Sequence, residues 1–394
     1  MRFLIVNTDY PEFLDWFYAR HPGLEALSYE EQMQARMKNL FGVADFYSSN
    51  LRKLGHQAWD IHANNVFMQK AWAQENGVRP PSGRSWNLRV QAKAPWASKG
   101  IQRTSPWVNQ GLHRGARWIR GTLSRKWLDD VLAAQIRHYA PDILLNQAMD
   151  TLSNRFFRRM KSQVPLLMGQ IASPLPEGED LSYYDVVISS LPNFVENFRR
   201  QGIPGELHRL GFEPAILPQL SNETKSIRVS FVGGLSRFHQ GRIRLLEHLC
   251  KRAGLQVWGP GVGGLDAHSP IRDHYEGMAW GLDMYRVLRR SKITVNQHGE
   301  FSGHHANAMR LFEATGVGTL LITDWKEDLE AMFEPGKEIV GYHDPEECAV
   351  LVQRYLENED EREAIARAGQ KRTLREHTYE RRMRELIEIV ERYS

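Results

Sequence analysis

The sequence predicts an α/β protein made of two doubly wound, parallel-sheet domains in tandem, facing each other across a cleft. Three observations predict it. Short apolar runs alternate with segments of helical period, the pattern of parallel strands joined by crossover helices. The alternation breaks once, at residues 218–226, a polar stretch without periodicity that reads as a linker. The chain has 394 residues, 42% of them hydrophobic, which suffices for two separate cores.

The elements follow in order. Residues 2–7 form a buried first strand; one basic residue and a short apolar run, closed at once by Asp9 and Tyr10, do not make a secretory signal. A helical stretch is expected from about Tyr29 to Leu54, with Met33, Met37, Leu40, Ala44 and Leu51 near the helical period. Gly55-His56-Gln57 ends it, and Ala58-Trp59-Asp60-Ile61 is the second strand. A helix at 128–139 leads through a Pro turn to a strand at 141–146. Strands at 164–168 and 184–189 and a helix at 192–201 complete the first half, which His208 to Phe212 closes. Beyond the linker, residues 227–232 open the second unit and run into Gly233-Gly234. Its further strands are expected at 255–258, 293–296, 320–324 and 339–340, and its helices at 304–315, 326–333, 345–358 and 360–376, with a last helix at 379–393. The expected domains are 1–219 and 225–378. Ligands in such folds sit outside the carboxyl ends of the strands, so site residues should lie just after strands.

Composition excludes several classes. Cys250 and Cys348 are the only cysteines, which gives neither a disulfide framework nor a zinc cluster and favours a reducing, cytoplasmic setting. No apolar run approaches the roughly 20 residues of a membrane span. The formal charge of +4 is small, but its distribution is uneven. Residues 76–128 hold eleven Lys or Arg, no Asp or Glu, and Trp86, Trp96, Trp107, Trp118 and Trp127. One reading is an insertion packed on the first domain through its tryptophans. Another is a surface for an anionic acceptor or the inner face of a membrane, with Arg114 and Arg117 as acceptor-binding candidates. No nucleic-acid motif occurs, and nucleic acid is not an expected partner.

The most informative stretch runs from Val295 to Gly318: a strand, a Gly-containing loop, then a helix. The expected helix start at Ser302, Gly303 and His304 would offer unpaired amides and a positive dipole end, a seat for a diphosphate. Asn307, Arg310 and Glu313 follow at three-residue spacing on one edge. Arg310 could neutralise phosphate, and Glu313 could accept hydrogen bonds from a ribose diol; an ordinary amphipathic helix with a surface ion pair has the same spacing. Asn296 and His298 end the strand before it, and His298 could face donor or acceptor. Gly233-Gly234 forms a second strand-to-turn junction, with Arg237, His239 and Arg242 soon after it; alone it reads as a turn. The glycine run at 259–264 reads as a loop, because Pro260 interrupts any dinucleotide fingerprint.

The 295–318 stretch, continued through Leu320-Leu321-Ile322-Thr323-Asp324, Phe333-Glu334-Pro335-Gly336-Lys337-Glu338 and His377-Thr378-Tyr379-Glu380-Arg381-Arg382, resembles the donor domain of the CgeB-like glycosyltransferases, relatives of the group-1 GT-B family. The resemblance spans roughly residues 225–385. It implies a GT-B fold of two Rossmann-like domains, a nucleoside diphosphate sugar as donor substrate with no bound cofactor, and a last helix, 379–394, packing back on the N-terminal domain. It gives Glu313 the donor ribose, and places the Gly233-Gly234 turn near the donor phosphates with Arg237, His239 and Arg242 as the phosphate-binding candidates. His305 stands where the wider family often has a sugar-binding Glu. No Asp-x-Asp triplet occurs, so metal-independent transfer is expected.

The acceptor, whether glycan, lipid or small molecule, would bind the N-terminal domain. A catalytic base is expected there, with Asp9 and Asp150, both just beyond strands, as candidates beside His298, and Gln170 as an acceptor contact. The alternatives are a nucleotide-sugar epimerase on the same fold and an inactive glycan- or nucleotide-binding protein.

Overall fold

The computed structural model describes residues 1–78, 126–175, 180–235 and 240–394. Arg114, Arg117, Arg237, His239 and nearly all of the basic, Trp-containing region lie outside the described residues.

The N-terminal sheet has six parallel strands: β1 (Arg2–Asn7), β2 (Gln57–His62), β3 (Ile143–Asn146), β4 (Leu166–Gln170), β5 (Val186–Ser189) and β6 (Gly205–Leu207). Their order is β2-β1-β3-β4-β5-β6. Between them run α1 (Pro11–Arg20), α2 (Tyr29–Lys38), α3 (Phe46–Lys53), α4 (Val66–Glu75), α5 (126–139), α6 (Asn154–Met160) and α7 (Pro192–Arg200). Alternate side chains of β1 enter opposite layers, as the two-residue repeat of a strand requires. Phe3 and Ile5 pack with Tyr47 and Leu51 of α3, whereas Leu4 and Val6 pack with Leu132, Ile136, Phe156 and Phe157.

The C-terminal sheet repeats the plan with β7 (Ile227–Val232), β8 (Gln256–Trp258), β9 (Tyr275–Gly277), β10 (Ser291–Asn296), β11 (Leu320–Asp324) and β12 (Val340–Tyr342). Its order is β12-β11-β10-β7-β8-β9, again all parallel. Its helices are α8 (Gln240–Ala253), α9 (Leu282–Arg290), α10 (Met309–Gly316), α11 (Pro345–Glu357), α12 (Glu359–Glu376) and α13 (Tyr379–Tyr393). No helix of the described residues is long and apolar enough to cross a membrane.

Two expectations fail locally. The helix expected over 29–54 is two helices, broken where Leu40, Gly42 and Ala44 take positive φ values of 61°, 62° and 40°. Asn39 at this break accepts a hydrogen bond from Leu282 N of the C-terminal domain at 2.7 Å, so a contact between domains overrides the helical period. The helix expected over 326–333 is only a single 3-10 turn, Leu329–Ala331.

An apolar cluster continues from one domain into the other. Phe212 and Ile216 join Ile5 and Tyr47 of the first domain to Phe312 and Leu321 of the second. A Cβ at Gly316 would collide with the Phe212 ring, so α10 approaches the connector as closely as a glycine allows. The last helix, α13, lies on the N-terminal domain. Tyr379 contacts the rings of Phe46 and Tyr47, and Tyr393 OH donates to Glu206 at 3.0 Å.

Candidate active site

In the C-terminal sheet the connections leave β7 and β10 in opposite directions, so a crevice opens between the ends of these two neighbours. Two guanidinium groups close on it. Arg310 Nη2, from the first turn of α10, donates to the carbonyl of Val232 at 2.9 Å. Arg242, on α8, donates to Gln297 O at 2.9 Å and to Gly234 O at 3.3 Å, spanning the crevice from β10 to β7. The glycine turn at 233–235 is therefore held by both. It also lies against the backbone after β8: Gly233 N donates to Trp258 O and Leu235 N to Pro260 O. Gly259 has φ 132°, and a Cβ there would fall on the Gly233 carbonyl oxygen. The 259–264 glycines thus permit backbone-to-backbone contact. Gly234 faces open space.

Glu313 is 4% exposed and sits one helical turn after Arg310, which donates to it at 2.6 Å. Tyr285 OH approaches its other oxygen at 3.5 Å. Burial raises the carboxyl's pKa, against the opposing pull of Arg310. The pair is therefore not the solvated surface pair that the spacing alone would allow.

The loop before α10 differs from expectation. Ser302, Gly303 and His304 do not begin the helix; it begins at Met309, behind an extended Ala308 that supplies no side-chain cap. Ser302 is buried and bonds Gly299 O, while His304 is exposed beside Glu327. Asp328 sets the later start: it accepts from Ala306 N at 2.6 Å and lies 3.4 Å from His305. A diphosphate seat on this helix would use the amides of 309 and 310 rather than those of 302–304. Asn296 spends its amide on Thr323 at 2.9 Å, below the surface.

His298 is held by Asp324, at the end of β11. Asp324 Oδ1 accepts from the His298 amide at 2.8 Å and lies 2.6 Å from Nδ1, leaving Nε2 buried without a partner among the described residues. Burial opposes ionisation of Asp324, but the bonds from His298 and the charge of Lys326 at 3.6 Å keep its pKa below the ordinary carboxylate value. Sequence reasoning missed Asp324, Lys326, Gln297 and Tyr285 as site members; only Asp324 carried a signal, as the polar residue ending a strand.

The acceptor-side candidates separate. Asp9 is buried, with Arg36 donating to Oδ1 at 2.6 and 3.1 Å and His62 Nδ1 3.0 Å from Oδ2. Burial opposes its charge, yet His62 and Arg36 beside it hold its pKa far below the ordinary value. A carboxylate so paired is a poor proton acceptor, which counts against Asp9 as base. Asp150 is exposed beyond β3, and accepts from Thr151 and Ser173 hydroxyls at 3.0 and 3.2 Å. Gln170 belongs to a ladder across the strand ends: Asn7 donates to Gln147, Gln147 to Gln170, and Gln170 to Tyr47 OH.

Two contacts tie the domains beside this crevice. Ser190 Oγ, after β5, donates to Asn307 Oδ1 at 2.7 Å. Trp280, before α9, packs against Phe13, Phe41 and Tyr10 at centroid distances of 5.9, 4.8 and 6.2 Å.

Residues 241–388, which carry Arg242, His298, Arg310, Glu313 and Asp324, match the family described as Glycosyl transferase-like. The match takes in the crevice and most of the C-terminal sheet and is a likeness over that stretch. The whole chain also superposes on solved glycosyltransferase folds. A glycosyltransferase from Rickettsia africae shares 11% identity at a TM-score of 0.55, covering 100% of this chain and 98% of that one. The HepE protein of Anabaena, solved with UDP and glucose, shares 10% at 0.55, with 99% of each chain covered. Sucrose-phosphate synthase of Thermosynechococcus elongatus shares 13% at 0.58, covering 100% and 98%. The fold is GT-B, two parallel-sheet domains in tandem as in these structures. No curated protein sequence matches the chain significantly.

Proposed function

We propose that this protein transfers a sugar from a nucleoside diphosphate sugar, bound in the β7/β10 crevice, to an acceptor on the N-terminal domain. The observation that carries the reading is the pair of guanidinium groups, Arg310 and Arg242, on either side of the Gly233–Leu235 turn. Two fixed cations beside an open glycine turn suit a diphosphate, whose charge grows as the sugar leaves. They supply that charge without calling on a metal. Glu313 takes the ribose hydroxyls, and its bond to Arg310 keeps the carboxyl group aimed. His298 is fixed by Asp324, and its Nε2, buried and without a hydrogen-bond partner among the described residues, is the proposed contact to the donor phosphates or sugar. The Anabaena protein was solved with UDP-glucose, so UDP-sugars are the first donors to test.

On the acceptor side Asp150 is the proposed base, because its carboxylate is exposed and, among the described residues, hydrogen-bonds only to hydroxyl groups. Gln170, held in its amide ladder, is the proposed acceptor contact. Closure about the apolar connector would exclude water, which otherwise hydrolyses the donor. Release of nucleoside diphosphate from a UDP-sugar should depend on added acceptor and be lost in Arg310→Ala. Interconversion of the sugar without acceptor would instead mark an epimerase, and binding without turnover a degenerate binding protein.

A further inference from the structure

A second cationic site lies at the opposite end of the C-terminal sheet from the crevice. Here a cavity of about 480 Å³ opens between the start of β7, the ends of α9 and α10, and α12. Lys225, Arg289, Lys292, Arg362 and Arg367 line it, against the carboxylates of Glu223 and Glu363.

The charges are not balanced locally. Glu363 lies 3.1 Å from Arg367, Arg362 pairs with Glu359, and Glu223 faces Arg286 and Arg290 at 3.6 and 4.0 Å. Lys225, Arg289 and Lys292 have no carboxylate within ion-pair distance among the described residues, although burial and the charges of Arg289 and Arg362 lower the Lys225 pKa to about 7 against the pull of Glu363. Lys225 Nζ donates to Ser291 O, Thr319 Oγ1 and Gly318 O at 2.6, 2.7 and 3.2 Å, all neutral oxygens. Arg289 donates to Val317 O at 2.8 Å. Lys292, half-buried at the start of β10, has no hydrogen-bond or ion-pair partner among the described residues. Like charges brought together repel, and partly buried ones are screened less by salt than exposed ones. Carbonyl groups at the carboxyl end of α10 offset part of this for Lys225 and Arg289 but leave Lys292 uncompensated.

We propose that this cavity binds a phosphorylated small molecule, separate from the donor site. Its volume admits a ligand of sugar-phosphate size, and its basic residues come from three places that the fold holds fixed: Lys225 before β7, Arg289 and Lys292 at the α9–β10 junction, and Arg362 and Arg367 on α12. The site touches the carboxyl end of α10, whose first turn carries Arg310, so a ligand here acts as an effector rather than a substrate.

Isothermal titration of the full chain with inorganic pyrophosphate tests this. The expected result is saturable binding that survives Arg310→Ala and weakens by about tenfold or more in Lys292→Glu. Arg367→Glu, on the exposed face of α12, should weaken it likewise with an unchanged thermal midpoint, which guards against misfolding of the first variant. Loss of all binding in Arg310→Ala would confine pyrophosphate to the donor crevice and overturn this inference while leaving the proposed function standing. Equal affinity in the wild type and both glutamate variants, or no binding at all, would reduce the cluster to helix capping.

Discussion

Arg310 Nη1 donates to Glu313 Oε2 at 2.6 Å while Nη2 of the same guanidinium donates to Val232 O, so one side chain joins α10 to the turn after β7. Glu313 cannot then be removed as if it were a free surface acid. Either single truncation strands a buried charge and should lower unfolding free energy by about 3–5 kcal/mol. The double variant Arg310→Leu with Glu313→Leu should recover most of that loss in urea titration, yet still fail to bind a nucleoside diphosphate. Recovery of both would remove the pair from the site.

Asp9 gives a pH prediction. Its folded pKa is depressed by Arg36 and His62, so its contribution is present above the unfolded value of about 4 and is lost as pH falls through the folded value. Asp9→Asn should therefore be markedly less stable than wild type at pH 7, and the difference should shrink steadily below about pH 4. A difference independent of pH would mean that Asp9 contributes by shape alone.

The contact between Asn39 and α9 depends on Gly281, which has φ 55° and whose Cβ would fall on Asn39 O. Gly281→Ala should cost about 2 kcal/mol or more and weaken the docking of the two domains. Small-angle scattering should show a larger radius of gyration; an unchanged radius and midpoint would show that the loop yields freely.

Asp150→Asn should lower turnover by roughly 100-fold, in keeping with loss of a general base, while leaving donor affinity within about twofold. Parallel loss of donor affinity would assign Asp150 to the donor side or to the fold.

Much of the architecture was legible because strands buried on both faces read as short apolar runs, and Phe3 to Val6, Val229 to Val232 and Leu320 to Ile322 are such runs. The break after Lys38 was not legible, because Leu40 and Ala44 keep the helical period and only docking against Leu282 forces their positive φ. The start of α10 was misplaced for a similar reason. Ser302 and Gly303 look like a helix entry, but Asp328, far along the chain, holds Ala306 and delays it. Arg310 and Glu313 were recognisable from spacing and resemblance together, whereas their burial was not. Asp9 looked like a cleft acid because its partners Arg36 and His62 lie on other elements.

The central claim is that the β7/β10 crevice binds a nucleoside diphosphate through Arg310, Arg242 and Glu313. Titration calorimetry of UDP against wild type and the conservative variant Glu313→Gln tests it most directly, with thermal midpoints recorded to show that both are folded. Binding by the wild type, weakened by about tenfold or more in Glu313→Gln, is the predicted result. Equal affinity in the two proteins, or no binding of any nucleoside diphosphate to the folded wild type at millimolar concentration, would contradict it.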